Sequence, residues 1–195
     1  MINKSVYILN KAKNCIENSL LEKLKMQGWT GRNNTISSPP STISVWTDGC
    51  SNSQLSGWAV VCPSLKTIYR GILKDSNGNK TTNQKAELSA VIQAIHIFTR
   101  TMKFAPKNLT IITDSEYAIK CFTLWWNNWV WNGWKGSNGK SVVNRSLIEL
   151  GLQMDANFVN FAHVNGHSGN EYNEMADWYC KQGQLKHSDW TLIEM

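Results

Sequence analysis

From Ile43 to Gly49 apolar and polar positions alternate, with Ile43, Val45 and Thr47 on one side and Ser44, Trp46 and Asp48 on the other. Val, Ile, Trp and Thr favour a pleated backbone and Gly49 breaks the run, so the pattern predicts a strand. Gly57-Trp58-Ala59-Val60-Val61-Cys62 and Thr67-Ile68-Tyr69-Arg70-Gly71-Ile72-Leu73 follow across turn-forming residues, which predicts an antiparallel meander of three strands. The period then changes. Ala86, Leu88, Ala90, Val91, Ala94, Ile95 and Phe98 recur at helical spacing over 83–102, with Thr81 or Thr82 placed to cap the start. Pro106 closes that helix, 109–115 reads as a fourth strand and 158–162 as a fifth. Helical patterns cover 115–122, 123–131, 140–155 and 173–182. Strands first, then strands alternating with helices, predict an α/β fold with a mixed sheet covered by helices.

The ends read differently. Residues 5–27 space their leucines and isoleucine as an amphipathic helix, and 28–42 are rich in Gly, Asn, Ser, Thr and Pro, as a linker is. The expected division is an N-terminal segment over 1–42, a compact domain over 43–185 and a tail over 186–195. At 195 residues the chain can bury a sizeable core. Its formal net charge of +6 suits a polyanionic partner. Five scattered cysteines without a C-x-x-C pair argue against a disulfide framework or a zinc site. No apolar run approaches the ~20 residues of a membrane span, and no signal-peptide core opens the chain. The expectation is a soluble, intracellular monomer without membrane contact, in the cytoplasm or nucleus.

Two apolar strands each end in Thr-Asp and then a small residue: Thr47-Asp48-Gly49 and Thr113-Asp114-Ser115. Paired side by side, they would bring two carboxylates together. Taken alone, Asp48-Gly49 reads equally well as a turn, and Glu87, near the start of a helix, as a solvated residue favoured by the helix dipole. A fourth acid, Asp177, follows Gly166-His167-Ser168-Gly169. Clustered carboxylates cannot all stay ionised without cations, and oxygen-only ligands point to Mg²⁺, with Mn²⁺ as a substitute. Two such ions ~3.5–4 Å apart can clamp the attacking and leaving oxygens of a phosphodiester displacement.

These residues resemble a known family. Thr47-Asp48-Gly49-Cys50, Thr82-Asn83-Gln84-Lys85-Ala86-Glu87-Leu88, Thr113-Asp114-Ser115, Asn132-Gly133-Trp134-Lys135, and Gly166-His167-Ser168-Gly169 with Asn173-Glu174-Met175-Ala176-Asp177 are similar, in order, to the motifs of type 1 ribonuclease H. The resemblance covers about 43–183. It implies a ribonuclease H-like fold with a five-stranded mixed sheet in the order 3-2-1-4-5, flanked by helices. It implies an endonuclease that hydrolyses the RNA strand of RNA–DNA hybrids, leaving 5′-phosphate and 3′-hydroxyl ends. Asp48, Glu87, Asp114 and Asp177 would hold two Mg²⁺ ions, and His167 would assist proton transfer or product release. Lys80, Thr82 and Asn144 would form a phosphate pocket for the DNA strand, Asn83 and Gln84 would reach into the minor groove, and Asn52 would contact RNA. The family typically has glycine where this chain has Tyr172, which predicts a positive φ there and an altered loop.

Five of the ten tryptophans fall between Trp125 and Trp134, in a segment holding Lys120, Lys135, Lys140 and Arg145 and no acid between Glu116 and Glu149. By resemblance this is a protrusion that grips the DNA strand, with Lys135 among its cations. Trp125 and Trp129 either line the DNA groove or pack helix on helix, and Trp134 belongs to the core. Where the family often carries lysines or arginines, this chain has Val130-Trp131-Asn132, which predicts a weaker cationic grip. Two other classes fit parts of the pattern: a non-catalytic hybrid-binding module, and an integrase- or resolvase-type nuclease. The intact acid set disfavours the first. The Thr-Asn-Gln-x-Ala-Glu segment disfavours the second.

Overall fold

The computed structural model describes residues 41–52, 56–74, 81–182 and 190–194, the last by their backbone alone. The N-terminal segment and Lys80 lie outside the described residues. Three strands open the domain: β1 (Ile43–Ser51), β2 (Ser56–Cys62) and β3 (Thr67–Leu73). The first helix, α1 (Asn83–Ile95), continues as a π-helical turn over His96–Thr101 and leads into β4 (Leu109–Thr113). Next come α2 (Glu116–Lys120), a π-turn over Cys121–Trp125, α3 (Trp126–Trp131) and α4 (Arg145–Gln153). The chain ends in β5 (Asn160–His163), α5 (Glu171–Lys181) and β6 (Trp190–Glu194).

The sheet order is β5-β4-β1-β2-β3-β6, with β1 parallel to β4 and β4 to β5, and antiparallel pairing elsewhere. Its first five strands have the expected order 3-2-1-4-5. The sixth lies within the stretch read as a tail and extends the edge by pairing antiparallel with β3, Gly71 opposite Trp190. Helices cover both faces. Ile43, Val45, Trp58 and Val60 pack on one side with Leu88, Val91 and Ile95 of α1. Ala59 and Val61 turn to the other side, where Cys180 and Ala176 of α5 cover them. Every residue of β2 is therefore buried, as in a strand enclosed from both faces.

Thr82 caps α1 by accepting a hydrogen bond from Lys85 N–H at 3.3 Å, as the sequence pattern predicts. Gly49 does not break the first strand: β1 runs through it to Ser51, because 49–51 go on pairing with 56–58 of β2. Three further boundaries differ from the pattern for local reasons. Residues 140–143 form a turn rather than helix, because Lys135 pairs with Ser141 and Val142 N–H donates to the Trp134 carbonyl. Asn144, with φ of 62°, then sets the start of α4. Phe158 closes a short 3₁₀ turn and is 63% exposed, so β5 begins only at Asn160. The last helix starts earlier, at Glu171, with the Asn170 side chain accepting from Asn173 N–H at 3.1 Å. Tyr172 thus sits in a first helical turn and needs no positive φ, which corrects the reading of an altered loop. Its ring packs on Trp46, centroids 4.9 Å apart, and the positive φ values of this loop fall on His167 and Gly169. Among the described residues no helix is long and apolar enough to cross a membrane.

Candidate active site

The parallel register of β1 on β4 pairs Trp46 with Ile112, two residues before Asp48 and Asp114 respectively. The same offset continued sets Asp48, within β1, beside Asp114, just past the end of β4. Glu87 arrives from α1, which crosses β1 closely because Gly49 has no side chain: a Cβ there would lie 2.2 Å from the Glu87 amide nitrogen. Asp177 arrives from α5 on the opposite face. That helix is admitted by Gly57, where a Cβ would meet the Cys180 carbonyl oxygen at 2.2 Å. All four acids line one open cleft of about 460 Å³.

Neighbouring donors fix the carboxylates. Asp48 Oδ1 accepts from Gly49 N–H at 2.7 Å. Glu87 accepts from Asn83 Nδ2 and from Ser115 Oγ, each at 2.7 Å. Asp114 Oδ2 accepts from Asn173 Nδ2 at 3.3 Å, and Lys181 Nζ donates to Asp177 Oδ2 at 2.6 Å. Burial pushes the Asp48 carboxyl up to about 7, with Asp114 and Asp177 adding repulsion against the Gly49 hydrogen bond. Burial also raises Glu87, against the pull of the Ser115 hydroxyl. Among the described residues lining the cleft, Lys181 is the one lysine or arginine. A set of four carboxylates with one of them held toward its neutral form suits hard divalent cations, whose charge relieves the repulsion.

The sign of the Asp48 shift sets a stability expectation. Its folded-state value, near 7, lies above the ordinary 3.8. The contribution is therefore fully present below about pH 4 and is lost as pH rises through about 7. In a chelator, stability should fall between about pH 4 and 7, by on the order of 2–4 kcal/mol from this group. Asp48→Asn should flatten that fall. An asparagine variant with the native pH slope would show that Asp48 is not its source.

The other sequence candidates are placed as follows. Asn83 accepts from Ser51 N–H at 3.1 Å as well as holding Glu87, and with Asn52 and His167 it lines the cleft. Thr82 and Gln84 are exposed at the start of α1. Asn144 Nδ2 donates to the Tyr117 hydroxyl at 3.1 Å. Trp125 and Trp129 are half-buried in an aromatic row, with centroids 5.6 Å apart, that runs from Tyr117 to Trp134. Arg145 lies 5.1 Å over the Trp134 ring, which is buried as the sequence reading has it. Trp131, by contrast, is 83% exposed. Lys135 is exposed, its backbone clamped by both ends of the Asn132 amide. The sequence reading passed over Ser115, Asn173 and Lys181, of which only Lys181, four residues after Asp177, carries a spacing signal. It also missed that Cys50 and Cys180 meet beside Asp48.

Comparisons with known proteins place the chain in a family. A family model described as RNase H matches residues 40–184. The chain is 39% identical over 140 residues to a ribonuclease H of Wolbachia sp. subsp. Drosophila simulans, covering 69% of this chain and 90% of that one. It is 32% identical over 157 residues to a ribonuclease H of Granulibacter bethesdensis, covering 78% and 98%. A solved foamy viral protease-reverse transcriptase in complex with RNA/DNA hybrid shares the fold, with a TM-score of 0.55, 19% identity, and coverage of 78% of this chain and 21% of that one. On the match over 40–184 and on these relatives, the chain belongs to the ribonuclease H family.

Proposed function

We propose that this chain is an endonuclease that hydrolyses the RNA strand of RNA–DNA hybrids, with Asp48, Glu87, Asp114 and Asp177 holding two divalent cations. The observation that carries the reading is the convergence of these four acids in one open cleft, with Asp48 held near 7 by burial and by its neighbours. When bound, Mg²⁺ or Mn²⁺ supplies Lewis acidity and lowers the pKa of water. Water oxygen joins phosphorus, the bond to the 3′ oxygen breaks, and 5′-phosphate and 3′-hydroxyl ends result.

The chain's own residues do the rest. Asn83 and Ser115 orient Glu87, and Asn173 orients Asp114. Asn83, Gln84 and Asn52 stand at or beside the cleft mouth, where 2′-hydroxyls of a minor groove distinguish RNA from DNA. Thr82, Asn144 and Lys80 are proposed for a DNA-strand phosphate. His167 lies exposed on the cleft rim, and its proposed role is to hold a proton for the leaving oxygen. His167→Ala should slow turnover by roughly 10–10⁴-fold, within the range of a lost proton-transfer group. An unchanged rate would remove it from the chemistry. The reading as a whole is tested by cleavage assays on hybrid, duplex DNA and duplex RNA, with Mg²⁺ and with chelator. Only the RNA of the hybrid should be cut, and only with the cation.

Leu124, Val130 and Trp131 expose apolar side chains on the protrusion where cations would add counterion release. Stacking is nearly independent of salt, whereas each neutralised phosphate adds about 0.9 to the log–log salt slope on B-DNA. Trp131→Lys should steepen the hybrid-binding slope by about one such contact. Equal slopes would place position 131 away from the backbone.

A further inference from the structure

The cysteines of this chain carry no metal-ligand spacing in sequence, yet the fold assembles two of them with two acids. Cys50 lies two residues after Asp48 on β1, and Cys180 one turn after Asp177 on α5. Gly57 lets α5 approach the sheet closely enough for the two cysteines to pack in one buried cluster with Ala59. Cys180 Sγ lies 3.7 Å from Asp48 Oδ2. One ligand atom from each of Asp48, Asp177 and Cys180 falls within 4.8 Å of the other two. Donors around one tetrahedral zinc, bonded at about 2.0–2.3 Å, stand roughly 3.3–3.8 Å from one another. The thiol–carboxylate contact already has that spacing; Cys50 Sγ lies outside this 4.8 Å group and would join it through a change of rotamer.

We propose that the cleft holds a second, mixed metal site, in which Cys180, Asp48 and Asp177, with Cys50 as fourth donor, take a thiophilic divalent cation of the Zn²⁺ or Cd²⁺ class. Sulfur donors prefer such ions to Mg²⁺, and two sulfurs with two carboxylate oxygens make a tetrahedral set. Each thiol that becomes a ligand releases its proton to solvent, and Asp177 exchanges the Lys181 ammonium for the ion. The site shares Asp48 and Asp177 with the set proposed for the hard cations, so the two occupancies exclude each other. A thiophilic ion then acts as an inhibitor that competes with Mg²⁺.

The direct test does not depend on the hydrolase reading. Metal-free protein is titrated with Cd²⁺ alone while the ultraviolet thiolate-to-cadmium charge-transfer band is followed. The expected result is a band that saturates at one ion per chain. Cys180→Ser should weaken binding by at least about tenfold, the smallest loss expected when a ligand goes. Cys50→Ser should reduce the band by one thiolate's share, while Cys62→Ser and Cys121→Ser leave it intact. No band in the native protein, or an unchanged affinity and intensity in both Cys50→Ser and Cys180→Ser, would overturn the proposal. If hybrid cleavage is established, Zn²⁺ should inhibit it and excess Mg²⁺ should relieve the inhibition. Inhibition insensitive to Mg²⁺ would overturn the shared-ligand arrangement. Failure of cleavage with a normal Cd²⁺ band would instead count against the hydrolase reading alone.

Discussion

Replacing Asp48 or Asp114 by asparagine is expected to lower hybrid cleavage by at least about 10³-fold while leaving hybrid affinity within a few-fold of native. Such a loss corresponds to about 4 kcal/mol of transition-state stabilisation. Each substitution keeps the side-chain shape and removes one charge where the β1–β4 pairing ends, Asp48 within β1 and Asp114 just past β4. Hybrid grip is proposed to come from elsewhere: from the start of α1, the aromatic row and Lys135. Asparagine also takes a negative charge away from the approaching phosphates, so binding has no reason to weaken. The stability of the metal-free protein should move the other way in Asp48→Asn, since a buried carboxyl crowded by Asp114 and Asp177 is replaced by a neutral amide. A single-turnover assay beside an affinity measurement separates the two effects. Native cleavage by either variant would remove the acid pair from its proposed role, and loss of both cleavage and binding would point to a misfolded cleft.

Much of this arrangement was legible because strand period and strand ending repeat. The alternation in 43–49 and the second Thr-Asp ending at 113–114 predicted two strands whose pairing would join Asp48 with Asp114, and the parallel register bears this out. The helical spacing from Ala86 to Phe98 likewise predicted α1 and its cap. What was not legible depends on contacts between distant segments. Nothing near Cys50 in the chain signals Cys180, and Tyr172 read as a loop problem because its packing on Trp46 of β1 cannot be seen in local sequence. The turn over 140–143 was hidden for a similar reason. Apolar Val142 and Val143 continue the periodicity of α4, but Ser141 pairs with Lys135 and Val142 N–H donates to the Trp134 carbonyl, which holds the stretch out of the helix. Trp125 and Trp129 left two readings open, and the structure shows them packed on each other in a half-buried row.

Gly49→Ala is expected to destabilise the protein and to lower cleavage together, by way of one contact. A Cβ at position 49 would lie 2.1 Å from the Ala86 carbonyl carbon, 2.2 Å from the Glu87 nitrogen and 2.3 Å from the Ala86 oxygen. Those atoms are helix backbone, so no flexible side-chain tip can give way. Either β1 bends or α1 lifts from the sheet, and α1 is held by buried Leu88, Val91, Ile92 and Ile95. Overpacking of this kind costs typically about 1–3 kcal/mol, and the rigid neighbours place this case at the upper end. Lifting α1 also carries Glu87 away from Asp48 and Asp114. A displacement of about 1 Å at a catalytic group can cost on the order of 10²-fold in rate. Gly136→Ala is the comparison, because its Cβ would meet no atom closer than the Asn138 side-chain oxygen at 3.4 Å. Denaturant unfolding and cleavage should both change in Gly49→Ala and neither appreciably in Gly136→Ala. Native stability and native rate in Gly49→Ala would mean that α1 does not cross β1 at this glycine, and that Glu87 reaches the cleft by another path.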